Sequence, residues 1–549
     1  MLITIDPNGF IFFLAVTVLV AGLAVPALPL ARTESEIASI SKALHAQLES
    51  QVSSTNKPDL DRKQLREFYT PSRYRPVWVD SRGPLLRAGQ WLLTLQAAKQ
   101  EGLNPETYHS TEIEQLWGAS TSAELARLEL LLSDAFLKYS VDVSVGRTDP
   151  EMIDPNWNIP VQTSDAVNVL RNTLAADNFD SALSELAPPH VGYQRLRNAL
   201  AGYRQLERNG GWPAIPPGPS LKYGQWHSQI KVLRRRLIAE GDLQLGPVLN
   251  ENIFDTPVLY AVERFQTRYG LKVDGIVGPA TRATMNVPVA RRIEQIKLNM
   301  ERWRWLPRDL GQRYLMVNIP GFELVAMEDG RPKFTMRVII GTSERPTPVI
   351  MSSVHTIIFN PFWTVPDTIV INDLLPKQQR NSTYLKSRGI RVLARHPYGK
   401  ELDPAKIDWT QVSADNFPYI LRQDPGPTNP LGQVKFLFSN QFQVYLHDTP
   451  EYHKFDLPDR ELSSGCIRVD DPVQLVIYLL DRDNDWTREH IETVIAAGET
   501  RKVQVHGLVK IYLLYWTAWV GEAGAMHFYR DIYAEDSLIS SCSYGARWP

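Results

Sequence analysis

Apolar residues recur every three or four positions through the first half of this chain and every second position from residue 314, so no single architecture can serve both halves. After Pro84, Leu85, Ala88, Leu92 and Leu95 share one helical face, and Gly102 follows as a stop. Leu125, Leu128, Leu132, Ala135 and Tyr139 repeat that spacing. Past the switch, Tyr314, Met316 and Asn318 alternate with Leu315, Val317 and Ile319. Runs 322–327 and 333–340 flank Glu328-Asp329-Gly330 as a hairpin. The expected class is α+β and multidomain, since 549 residues are too many for one core.

The punctuation divides the chain further. The segment GGWPAIPPGP (210–219) is a Pro/Gly-rich linker. Ahead of it, 61–215 reads as a helical scaffold with no acid, base or metal constellation. Behind it, 222–290 reads as a small three-helix module, and 291–549 as a mostly β domain with further strands at 356–359, 434–438, 442–446, 502–505 and 509–519. Within that domain 367–423 is helical and turn-rich, an inserted lid between two strands of one sheet. Residues 1–31 carry no charge between Asp6 and Arg32, which fits either a signal peptide or an uncleaved membrane anchor. Residues 32–60 read as a polar spacer. Either reading of the N-terminus puts the bulk of the chain outside the cytoplasm.

Fourteen Trp and 21 Tyr, with 43% hydrophobic residues, exclude a disordered chain. A net charge of −2 offers no electrostatic case for a nucleic-acid partner. There are two cysteines, Cys466 and Cys542. A disulfide between them is the alternative to a free thiol, but a chain this long needs no such staple.

Most of the chemistry lies in 444–469, VYLHDTPEYHKFDLPDRELSSGCIRV. A strand-like run ends in His447, and small residues deliver Cys466 nineteen positions later. A thiol needs an activating base, and His447 is the candidate. Its second ring nitrogen needs an acceptor; Asp448 is adjacent, but its backbone carbonyl is at least as plausible as its carboxylate. Ser463-Ser464-Gly465 forms a turn whose N–H groups suit an oxyanion. Arg468 shares a face with Cys466, to lower the thiol pKa or bind a substrate carboxylate, and Tyr445 shares one with His447. Zinc held by His447, His453 and Cys466 lacks a fourth ligand at metal-like spacing, and no cofactor is expected. Singly, each residue has a blander explanation: a core cysteine, a histidine ending a strand, an arginine neutralising Asp470 or Asp471.

At these residues the sequence resembles the L,D-transpeptidases with a YkuD-type catalytic domain, and among them the long YcbB-like branch. The general motif of a His followed by S/T-H-G-C is met by His447, Gly465, Cys466, Ile467 and Arg468, with Ser464 where a second His is usual. HDTP with SSGC-I/V-R-V is the pattern of that branch. The resemblance extends to GRTDP, ERWRWLP, NPFWTVP, NPLG-x-x-KF and YLLYWTAWV. It also includes a peptidoglycan-binding signature at Ala261, Val262, Phe265, Gln266, Gly270, Leu271, Asp274, Gly275, Gly278 and Thr281. It implies a periplasmic enzyme of cell-wall biogenesis in which Cys466 is nucleophile and His447 base. The Asp448 carbonyl would orient that base, the Cys466 backbone and Tyr445 would serve the oxyanion, and Arg468 would hold the substrate. The implied partners are a donor tetrapeptide stem, an acceptor diaminopimelate amine, glycan strands along 222–290, and carbapenems as inhibitors. An L,D-carboxypeptidase and a non-catalytic wall-binding protein are the alternatives.

Overall fold

The structure is a computed structural model and describes residues 34–50, 60–395, 399–481 and 485–542. The apolar segment 1–31 lies outside the described residues. Among those described, no helix is long and apolar enough to cross a membrane.

The first described element, α1 (Glu34–Glu49), corrects the spacer reading. Its Ile40, Leu44 and Leu48, four positions apart, form a stripe buried in the core of the helical half. The centre of that half is α2 (Ser122–Ser144), opened by a capping box between Thr121 and Glu124. Its buried Glu129 accepts the N–H groups of Val77, Trp78 and Val79 at 2.6, 2.8 and 3.1 Å and the Tyr69 hydroxyl at 2.7 Å. One carboxylate thereby satisfies a stretch of irregular backbone.

Helix α3 (Val191–Arg208) contributes Tyr193, Leu196 and Leu200 to a different core, shared with the helices that follow and with the main sheet. That core includes three short helices, α4 (Gln229–Ala239), α5 (Thr256–Arg268) and α6 (Pro279–Met285). Gln266 stitches this module together, accepting the Gly275 N–H at 2.8 Å and donating to Asp274 at 2.9 Å. Helix α7 (Val289–Arg304) is the strut between the halves. Its Trp303 stacks on Trp516 with ring centroids 4.4 Å apart. One residue pair back, Glu301 accepts the Thr148 N–H at 3.0 Å. The close packing of Trp303 on Gly192 leaves no room there for a Cβ.

The β half contains β1 (Arg313–Asn318), β2 (Glu323–Glu328), β3 (Arg331–Gly341), β4 (Ile350–Phe359), β5 (Val434–Phe438), β6 (Leu446–His447), β7 (Glu461–Ser463), β8 (Ile467–Val469), α8 (Pro472–Leu480) and β9 (Arg501–Leu514). The sheet order is β7-β3-β8-β6-β5-β4-β9-β1-β2, and β2 pairs back to β3, so the sheet closes on itself. Such closure covers strand edges that would otherwise be open. The two closing strands expected at 502–505 and 509–519 are one, with an irregularity between Gln504 and Val509. The expected strand at 442–446 shrinks to β6, because the Asn440 side chain accepts the N–H groups of Phe442 and Val444 and folds that segment into a turn.

The insertion after β4 is not purely helical. It has its own four-stranded sheet, built from Trp363–Thr364, Tyr419–Gln423, Ile390–Ala394 and Glu401–Leu402. Ile390, Val392 and Leu421 join Val370, Leu374 and Trp409 in a separate small core.

Candidate active site

Strands β6 and β8 run parallel, with His447 opposite Arg468. On its other edge β6 pairs with β5, which sets Lys435 opposite His447. Opposed residues share a face of the sheet, so Lys435, His447 and Arg468 form one row across three strands. Two residues back along β6 and β8, Tyr445 and Cys466 form the adjoining row on that face. The Ile467 N–H donates to the Tyr445 carbonyl at 3.1 Å and carries the pairing past the strand ends.

Gly465 brings the cysteine into place at φ +102°, which favours glycine. Ser463 Oγ donates to the Cys466 carbonyl at 2.6 Å and accepts the Gly465 N–H at 3.2 Å. That N–H is spent inside the turn, which corrects its expected use at an oxyanion. Ser464 is engaged by Arg345, whose Nη1 lies 3.0 Å from its Oγ. Arg345 also holds Asp373 of the insertion at 2.6 and 3.0 Å, so the residue standing where a second histidine was expected belongs to a contact between sheet and insertion.

Cys466 is a half-buried free thiol. Burial pushes its pKa up; the main-chain N–H and hydroxyl of Tyr445, with the charges of Lys435 and Arg468, pull it down. His447 is 5% exposed. Its Nδ1–H donates to the Asp448 carbonyl at 2.5 Å, which leaves the Nε2 lone pair as the free one. Burial first, and then the Arg468 charge, lower its pKa to about 3, so the imidazole rests neutral. The Asp448 carboxylate is occupied elsewhere: it accepts the Gln433 N–H at 2.7 Å and the Tyr452 hydroxyl at 2.5 Å. Arg468 Nη1 donates to Glu451 at 2.7 Å, and Glu451 also takes Lys454 at 2.7 Å.

Tyr445, His447, Ser464, Cys466 and Arg468 line one cavity of about 350 Å³, bounded on the other side by Trp363 and Asp367 at the start of the insertion. A larger cavity, about 970 Å³, lies between α3, α5 and residues 523–526. Neither Cys nor His lines it, and its Arg268 is paired with Asp242 and Glu240. Among the described residues, no group of three or more His, Cys, Asp or Glu could hold a metal ion.

Sequence reading missed Lys435, Glu451, Tyr452 and Arg345. A signal existed for Lys435 alone: it is the one charge in the otherwise apolar run VKFLF.

Three families match the chain in sequence. Residues 63–200 match the family described as "Scaffold domain", 227–285 that described as "Putative peptidoglycan binding domain", and 312–495 that described as "L,D-transpeptidase catalytic domain". A Haemophilus influenzae protein named "Putative L,D-transpeptidase" is 35% identical over 247 residues, 45% of this chain and 49% of that protein. The chain thus spans about half the length of that curated relative. Among solved structures, an L,D-transpeptidase from Xylanimonas cellulosilytica is 16% identical, covering 55% of this chain and all of its own, with a TM-score of 0.18. One from Stackebrandtia nassauensis is 12% identical, covering 55% and 96%, with a TM-score of 0.23.

Proposed function

We propose that this protein is a peptidoglycan L,D-transpeptidase with Cys466 as its nucleophile, a reading supported by the match of residues 312–495 to the L,D-transpeptidase catalytic domain family. The observation that carries the reading is the shared cavity. A free thiol and a neutral imidazole line it together, and the imidazole is held by a backbone carbonyl in the tautomer that can accept a proton.

The first half-reaction begins as the Cys466 proton passes to His447. Sγ then bonds to the carbonyl carbon of the third residue of a tetrapeptide stem. The oxyanion is met by the Cys466 N–H and the Tyr445 hydroxyl. Collapse breaks the C–N bond to the terminal D-Ala, whose nitrogen takes the proton back from His447, and a thioester remains. In the second half, the side-chain amine of a neighbouring diaminopimelate attacks that thioester. Its C–N bond forms as the C–S bond breaks, and the amine's proton returns to Sγ through His447. The product is a cross-link between two third-position residues. Arg468 holds the donor stem.

The match at 227–285 supports peptidoglycan as the substrate and glycan strands as a partner of that module. Such a substrate lies outside the inner membrane, so export to the periplasm, by cleaved signal or retained anchor, is part of the proposal. The test is incubation with a disaccharide-tetrapeptide and mass spectrometry of the products. A dimer that has lost one D-Ala is expected. Tripeptide monomer alone would make the protein an L,D-carboxypeptidase, and no loss of D-Ala would contradict both readings.

A further inference from the structure

Three basic side chains share one row beside the thiol, and their charges are not equally available. His447 is neutral at physiological pH. Arg468 is ion-paired with Glu451 at 2.7 Å. Lys435 has no carboxylate within ion-pair distance among the described residues, although it is half-buried in the middle of a sheet. Its Nζ lies instead 3.6 Å from the centroid of the Tyr445 ring. The Tyr445 phenol adjoins Cys466 in the next row of the same sheet face, and it lowers the thiol pKa. A half-buried ammonium without a counter-ion is costly. Its burial here makes sense if an anion forms beside it.

We propose that Lys435 is a positioning residue for the proposed reaction, a fixed positive charge that stacks on Tyr445 and balances the Cys466 thiolate while His447 takes the proton. Tyr445 serves as the relay: its ring receives the ammonium, and a cation on the ring face makes the phenol a stronger donor toward the thiolate that adjoins it in the next row. Burial holds the Lys435 pKa below the ordinary lysine value, and the Cys466 charge opposes that shift, as the pairing requires. Lys435 also acts more strongly on the thiol than Arg468 does. The other charged groups around the site are already engaged. Glu451 holds Arg468 and Lys454, the Asp448 carboxylate accepts from Tyr452, Asp367 is paired with Arg395 at 2.6 Å, and Asp373 with Arg345. None of them is left to neutralise Lys435.

The inference rests on Cys466 being the reactive thiol, and its test is independent of turnover. The full chain is alkylated with iodoacetamide over a range of pH, and the rate is followed by mass spectrometry on the peptide that contains Cys466, so Cys542 does not interfere. Lys435→Met keeps the side-chain length and removes the charge. Its alkylation midpoint is expected to rise by at least about one pH unit, with Lys435→Arg restoring most of the wild-type profile. Lys435→Gln is read in the same way where Lys435→Met does not fold. A midpoint unchanged by loss of the charge would overturn the role of Lys435 and leave the transferase reading untouched. A shifted midpoint in a protein that releases no D-Ala would support the electrostatic role and sink the transferase reading.

Discussion

Arg468 Nη1 donates to Glu451 Oε2 at 2.7 Å, while the buried Nε of the same guanidinium carries no hydrogen bond among the described residues. The ion pair fixes the side chain on the cavity wall, where the remainder of the guanidinium fork suits an acceptor on the donor stem, a carboxylate or a main-chain carbonyl. Arg468→Lys keeps the charge and removes the fork. KM for the tetrapeptide should rise roughly tenfold, the worth of one hydrogen bond to a charged group, with little change in Cys466 alkylation. Steady-state kinetics on the two proteins would check this; an unchanged KM would count against Arg468 as a substrate ligand.

His447 is oriented by the Asp448 carbonyl, and the Asp448 carboxylate points into a separate set of bonds with Gln433 and Tyr452. Asp448→Asn should therefore lower kcat by less than about tenfold, whereas loss of a true triad carboxylate costs about 10⁴-fold. A loss on the larger scale would show that the side chain, and not the carbonyl, sets the imidazole.

The buried imidazole also links stability to pH. His447 has a folded-state pKa of about 3, below its ordinary value of 6.5, so unfolding takes up a proton between those limits. Its contribution is complete above pH 6.5 and is lost as the pH falls toward 3, at about 1.4 kcal/mol per pH unit. His190 and His527, each lowered to about 4 by burial, act in the same direction. His447→Asn should lose less thermal stability between pH 7 and pH 5 than the wild type; equal losses would contradict the assignment.

Glu129 makes a prediction for the helical half. Glu129→Ala strands three main-chain donors, at Val77, Trp78 and Val79, where Val77 is half-buried and the other two are buried. The expected cost is roughly 3 kcal/mol or more, and Glu129→Gln should cost less because one oxygen remains. Denaturation midpoints of the two variants would separate these outcomes.

How much was legible in the sequence depended on how local the determinants are. Cys466, His447, Tyr445 and Arg468 lie in one stretch, so strand alternation and a glycine turn were enough to bring them onto one face. Lys435 lies across a strand pairing that no local pattern specifies, and its register against His447 appears only in the folded sheet. The Gly465 N–H looked available because the hydroxyl that takes it, Ser463 Oγ, is a side-chain choice within the turn. Helix α1 passed for a spacer because its buried stripe is only Ile40, Leu44 and Leu48 in an otherwise polar run. The strands of the insertion were missed because each is short and turn residues surround it.

The central claim is that the Cys466 thiol takes the acyl group. A carbapenem supplies a strained acyl donor whose adduct can be weighed on the intact protein. The account predicts one equivalent of adduct on the wild type and on Cys542→Ala, and none on Cys466→Ala. Labelling that persists in Cys466→Ala, or that vanishes with Cys542 instead, would contradict it.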